Sequence, residues 1–304
     1  MNKTLSISSS YLTANISTVG ASLETLRFCH GPNLILHDES LHWRKSFAGS
    51  VVGPIANRVR DGQFSLGGKI HQMACNENGV TSLHSGPKGL SSLRWHVTRH
   101  EVQMIHFQRA LKDGDCGMPG NRMFDVVYQV DGASLNLEIK ATSDQPTPIS
   151  VAHHPYWRLG NTSLHKLQIN ACEYLPVDQQ KIPTGEILPV SNTIFDFRIP
   201  RAVNPIIDHN FCLSRCQLDA PIPVATLTSI NGLTLHLDST EPGLQVYAGA
   251  LLPKLSKNKI GPLAGIALEP QGWPNAVNEI DFPSVIISPK KPYFQKTRYL
   301  IKQA

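Results

Sequence analysis

The chain has 304 residues, of which 41% are apolar and 17% charged, with a formal charge of +5 and a pI near 8.9. That balance, with 22 glycines and 22 prolines spread without a repeating period, excludes a disordered or fibrous chain and favours many turns over long helices. No apolar run approaches the length of a membrane-spanning helix.

In chain order, residues 4–28 read as two or three short strands: TLSISSSYLTANIST alternates at period two, and Gly20 breaks it before SLETLRF. After a loop through Gly31, Pro32 and Asn33 comes LILHDES. In SFAGSVVGPIANRVRDGQFSLGGKIHQM, Gly53-Pro54 marks a turn and Gly67-Gly68 joins two strands. NENGVTSLHSGPKGL (76–90) is a loop by composition, with His84 near its centre. FDVVYQV (124–130), SLNLEIKAT (134–142), LTLHLDS (233–239) and LQVYAGALL (244–252) are strand candidates separated by turn signals such as Asp131-Gly132 and Asn231-Gly232. No window holds an apolar helical stripe free of Gly or Pro, so the expected fold is all-β, antiparallel sheets packed face to face. With no linker and no repeat, residues 1–304 are expected to form a single β-sandwich domain.

Six cysteines (Cys29, Cys75, Cys116, Cys172, Cys212, Cys216) show no paired CxxC spacing, so neither a zinc ribbon nor a thioredoxin motif is indicated. The start, MNKTLSISSSYLTANIST, alternates polar and apolar residues instead of offering a secretory leader. Reduced thiols and a cytoplasmic protein are the expectation. The densest basic cluster, Lys290, Lys291, Lys296, Arg298 and Lys302, reads as a solvated basic tail, and neither a nucleic-acid nor a membrane partner is expected.

Two stretches carry chemistry. SVAHHPYWRLG (150–160) sets two histidines before a proline and an aromatic pair. Because strand side chains alternate, only one of His153 and His154 faces any given cavity, and a histidine there is a candidate proton carrier. IALEPQGWPNAVNEIDFPSV (266–285) places Glu269 at the end of an apolar strand, where partial desolvation suits a general base.

These two stretches, with ANRVRDGQFSLGGKIHQ, SLHSGPKGL followed by Trp95, YLPVDQQKIPTGEILPV with FDFR behind it, DHNFCL and EPGLQVYAGALL, occur in the order found in the aldose 1-epimerase (galactose mutarotase) family, which the chain resembles over residues 53–285. The resemblance implies a large antiparallel β-sandwich with the sugar in a cleft across one sheet. It implies Glu269 as general base and His154 as general acid, with Asn57, Arg58, His84, Asp208 and Gln245 gripping the sugar. The implied reaction interconverts α and β anomers of a free aldohexose such as galactose or glucose, with no metal and no cofactor, which agrees with the absence of a Walker loop or GxGxxG fingerprint. The chain departs from the family pattern at His153, where asparagine is usual, at Ser85, where a glycine follows the first histidine, and at Arg158, Trp273 and Asn275. These bear on the preferred sugar more than on the chemistry. A hexose-6-phosphate epimerase, with Arg158, Arg94 and Lys88 as candidate phosphate ligands, and a non-catalytic sugar-binding protein are the alternatives. Monomer and homodimer are both compatible with the sequence.

Overall fold

The structure is a computed structural model that describes residues 3–37, 46–160, 164–252 and 263–303. The end of LILHDES, residues 38–40, lies outside the described residues. Among them the regular structure is nearly all strand, relieved by the short 3-10 turns Arg60–Gly62, Leu90–Ser92 and Asp115–Gly117.

Two antiparallel sheets form the sandwich. The larger has nine strands in the order Arg201–Ala202, Lys166–Ile169, Ile222–Thr228, Leu233–Ser239, Tyr293–Gln303, Ser134–Ser143, Arg122–Asp131, Met104–Leu111 and His96–His100. The smaller has six, in the order Tyr156–Trp157, Ile266–Gln271, Gly243–Tyr247, Asp208–Cys212, Glu173–Tyr174 and Leu188–Pro189. The Arg122–Asp131 and Ser134–Ser143 strands meet through a tight turn at Gly132, whose φ of +54° is the left-handed backbone conformation that a two-residue hairpin turn requires to match the right-handed twist of its strands. Thr4–Ser8, Leu12–Ser17 and Leu23–Phe28 make a separate three-stranded sheet, tied on by the Tyr128 hydroxyl donating to the Ala21 carbonyl at 2.8 Å.

Alternation builds the core. Phe124, Val126, Tyr128 and Val130 on one strand and Leu135, Leu137, Ile139 and Ala141 on the next point inward, against Phe211, Leu244, Val246, Ile266 and Leu268 of the smaller sheet. Burying a large apolar side chain contributes about 1.5–3 kcal/mol, so the register is strongly held. A one-residue slip of Gly243–Tyr247 or Ile266–Gln271 would push Gln245 and Glu269 into the core and turn leucines out. The row that must be inside thereby fixes the row that faces out.

Two expectations need correction. The C-terminal basic residues do not form a tail: Lys296, Arg298 and Lys302 belong to Tyr293–Gln303, a strand in the middle of the nine-stranded sheet. Tyr293, Gln295, Thr297, Tyr299 and Ile301 are its buried row, and the cations alternate onto the other face. LQVYAGALL ends as a strand at Tyr247, before Gly249 turns the chain at φ +74°. All six cysteines are free, and no helix among the described residues is long and apolar enough to cross a membrane.

Candidate active site

Sheet register assembles one wall of a cleft. Asn210, Gln245 and Glu269 are direct partners across three strands, and Asp208, Tyr247, Ala267 and Tyr156 form the next row. Their neighbours Leu244, Val246 and Leu268 occupy the core, so this row faces away from it.

The opposite wall is built from irregular backbone. Phe47, Asn57 and His84 all adopt left-handed φ, at +56°, +62° and +51°. Such conformations are uncommon for residues other than glycine and cluster at ligand sites. The Asn57 N–H donates to His84 Nδ1 at 3.1 Å while the His84 N–H donates to the Asn57 carbonyl at 2.9 Å. Asn57 Oδ1 accepts the Arg58 N–H at 2.8 Å, leaving its amide nitrogen as the end that can donate to a ligand. Ser85, at φ +64°, occupies a glycine-like conformation, and its hydroxyl bonds both backbone groups of Ile55, at 2.8 and 3.1 Å.

The HHPYWRL run is not one strand: Ala152–His153 pairs with Val51–Val52, and Pro155 separates it from Tyr156–Trp157. His154 turns into the cleft, anchored by its N–H to the Ser50 carbonyl at 3.0 Å and its own carbonyl to the Gly49 N–H at 2.9 Å. His153 turns the other way, into the core, where its Nδ1 meets the Tyr299 hydroxyl at 3.1 Å.

Asn57, Arg58, His84, His154, Asp208, Gln245 and Glu269, all seven residues singled out from the sequence, line this one cleft of about 520 Å³. A vestibule of about 820 Å³ continues outward past Asp208 and Tyr247, with Lys181 on its rim. Arg58 is clamped side-on by Glu77, at 2.7 and 2.9 Å, and reaches Asp208 at 3.4 Å. Asp208 also accepts from Gln245 Nε2 at 2.7 Å. Sequence reasoning missed Glu77, which nothing marks within a Gly-rich loop, and the Phe47 ring, whose centroid lies 4.5 Å from that of His84. Arg94, Lys88, Arg158, Trp273 and Asn275 do not line the cleft. Trp273 instead donates to the Pro242 carbonyl at 2.9 Å, and Asn275 caps the Arg60 N–H at 3.1 Å.

At the floor, His154 Nε2 lies 3.4 Å from Glu269 Oε1, and the two residues are only 4% and 2% exposed. Burial, with Asp208 adding to it, holds the Glu269 carboxyl well above the usual carboxylate range, and burial pushes His154 down to about 4. Both shifts favour a pair that holds one proton and carries no net charge. Glu269 Oε2 and His154 Nδ1 are buried with no hydrogen-bond partner among the described residues, a pattern concentrated at functional sites.

His84, His154 and Glu269 also bring potential metal-ligand atoms within 4.8 Å of one another. The donor set does not fit a cation. The Asn57 N–H occupies the lone pair of His84 Nδ1, so the proton of the neutral ring is on Nε2, and neither nitrogen has a pair to offer. Burial, followed by His154 and Arg58, keeps this ring neutral. His84 is a hydrogen-bond donor to whatever fills the cleft.

The family model for aldose 1-epimerase matches residues 3–300. The galactose mutarotase of Sus scrofa is 36% identical over 275 residues, covering 85% of this chain and 80% of that protein. The aldose 1-epimerase of Escherichia coli (strain K12) is 29% identical over 302 residues, covering 92% and 85%. Among solved structures, an aldose epimerase homologue from C. elegans superimposes with a TM-score of 0.91 at 28% identity, covering all of both chains. A galactose 1-epimerase from Lactobacillus acidophilus does so with a TM-score of 0.85 at 27% identity, covering 100% of this chain and 94% of that one.

Proposed function

Because the chain belongs to the aldose 1-epimerase family of isomerases, we propose that it equilibrates the α and β anomers of a free aldohexose, galactose or glucose, with Glu269 as base and His154 as acid. One observation carries the assignment of roles: a desolvated carboxyl and imidazole 3.4 Å apart at the floor of the cleft.

Ring opening removes the proton of the C1 hydroxyl and delivers one to the ring oxygen. Both oxygens are bonded to C1, so acid and base must converge within a few ångströms, as Glu269 and His154 do. The cyclic sugar reacts with the pair as carboxylate and imidazolium. Glu269 takes the hydroxyl proton, His154 gives its own to the ring oxygen, and the C1–O5 bond breaks to leave an aldehyde beside a neutral acid and a neutral imidazole. The C1 carbonyl rotates, and the same transfers run backwards on its other face. Net charge on the pair is zero throughout, which a buried site favours. Asn57, Arg58, His84, Asp208 and Gln245 hold the hydroxyls; buried donors and acceptors aimed at hydroxyls discriminate against sugars lacking them.

A free sugar suits the charge of this cleft better than a phosphate ester. Arg58 is already paired with Glu77 and Asp208, and Glu269 adds a third carboxyl. Lys181, on the vestibule rim, is the remaining cation among the described lining residues. Residues 1–304 are taken as one functional unit, monomeric or homodimeric. Its free cysteines suit the reducing cytoplasm.

Polarimetry of freshly dissolved α-galactose, α-glucose and their 6-phosphates tests the proposal. Faster equilibration of a free hexose is expected. Activity confined to a 6-phosphate would overturn the substrate class, and sugar binding by calorimetry without turnover would make the protein a binder.

A further inference from the structure

Behind the cleft lies a buried carboxyl that the reaction does not touch. Glu241, just past the Leu233–Ser239 strand, is 1% exposed. Its Oε1 accepts from Gln217 Nε2 at 2.8 Å and lies 3.0 Å from the Tyr293 hydroxyl. That hydroxyl is also 3.1 Å from Gln295 Oε1 and 3.3 Å from the Val151 carbonyl. The Gln295 amide is oriented by its Nε2, which donates to the Pro270 carbonyl at 3.0 Å and to Thr297 Oγ1 at 3.3 Å. A flipped amide would set oxygen against carbonyl oxygen.

Tyr293 therefore faces three acceptor oxygens with one proton to give. Of the three, only the Glu241 carboxyl can bring a proton of its own. Proton counting makes Glu241 the neutral acid, donating to Tyr293, which donates to Gln295, which donates to the Pro270 carbonyl. Burial acts in the same direction, lifting this carboxyl to about 8, and Tyr293 and Gln217 are the groups that face it; no charged side chain among the described residues offsets the burial.

This chain of bonds ends on the strand that carries the base. Pro270 follows Glu269 and, lacking an N–H, removes a ladder donor from Ile266–Gln271 beside it; its carbonyl is held by Gln295 instead. We propose that Glu241 is a positioning residue: through Tyr293 and Gln295 its neutral carboxyl fixes the backbone beside Glu269, and its ionisation loosens that hold. This rests on the acid–base roles proposed above.

The test compares wild type, Glu241→Gln and Tyr293→Phe on a free hexose from pH 6 to 9, with melting curves of each. Glutamine is neutral at every pH, and its amide supplies a donor for Tyr293 and an acceptor for Gln217 from two atoms in place of the one oxygen that serves both, so at pH 7 it should keep kcat within about threefold of wild type. At pH 9 only about a tenth of a carboxyl with a pKa of about 8 remains neutral, so Glu241→Gln should then exceed wild type by about fivefold with KM little changed. Tyr293→Phe breaks the chain of bonds and should lower kcat by about tenfold at pH 7, again with KM little changed. A ratio of Glu241→Gln to wild type that stays flat with pH, a Glu241→Gln variant inactive or unfolded at pH 7, or a Tyr293→Phe variant with wild-type kcat would each overturn the proposal. Wild-type turnover at pH 7, measured first, separates the failures: its absence overturns the epimerase function, whereas turnover with a flat ratio overturns the positioning role alone. Melting reports on the proton itself. The wild-type midpoint should fall as pH rises through about 8, and a Glu241→Gln midpoint that falls in parallel would overturn the neutral acid.

Discussion

Replacing Glu269 with glutamine keeps the shape and reach of the side chain while removing the basicity that ring opening requires. General acid–base assistance is typically worth about 10² to 10⁴ in rate, so Glu269→Gln should lower kcat by that order. Sugar affinity by calorimetry should change far less, since Asn57, Arg58, His84, Asp208 and Gln245 still line the cleft. Stability should move the other way. A carboxyl whose folded pKa is raised contributes stability that is present below its unfolded pKa and lost as pH rises through the folded one. An uncharged amide carries no such loss, so the variant should melt no lower than wild type at neutral pH. A variant that turns over normally would remove Glu269 from the mechanism.

Between elements, Gly49 joins the small N-terminal sheet to His154, the proposed acid. Its carbonyl accepts the Leu23 N–H at 2.8 Å and its N–H donates to the His154 carbonyl at 2.9 Å, at a φ of +70°. A Cβ there would run into the Leu23 carbonyl, so Gly49→Ala should destabilise the protein by about 1–3 kcal/mol and lower kcat as His154 shifts. Wild-type melting and activity would show that the junction has slack. No sequence pattern announces this junction, because it is made by a loop glycine and backbone bonds. Where side chains alternate cleanly the sequence was more legible. LTLHLDS is the strand Leu233–Ser239, and FDVVYQV lies within Arg122–Asp131, because one face of each must be buried. Tyr293–Gln303 alternates equally well, yet its cations mask in the sequence the buried row between them. His154 and Glu269 could be singled out because each is followed by a proline with aromatics close by, although Glu269 lies within the Ile266–Gln271 strand and not at its end as the sequence suggested. Glu77 could not, since its partner Arg58 lies 19 residues away across a loop.

At the scale of the whole molecule, the sandwich brings His154 and Glu269, the proposed acid and base, 115 residues apart in sequence, into a site closed enough to change how both titrate. The pH profile reads that out. Burial lowers His154 to about 4 and raises Glu269, so between those steps the pair holds the single proton that the reaction passes back and forth. As pH falls through about 4 a second proton binds, the base is lost, and kcat should fall. As pH rises the single proton leaves and the acid is lost, giving an alkaline limb to which the ionisation of Glu241 at about 8 adds. The two limbs belong to the coupled pair and not to either residue alone. His84 adds no step near neutrality, because burial keeps it neutral. The kcat profile should therefore be flat between about pH 5 and 7, with circular dichroism on the same samples confirming that the fold persists through the acid limb. A steep change across pH 6 to 7, as an ordinary solvent-exposed histidine would give, would show that the pair is not desolvated in the working enzyme and would sink the proton-sharing mechanism.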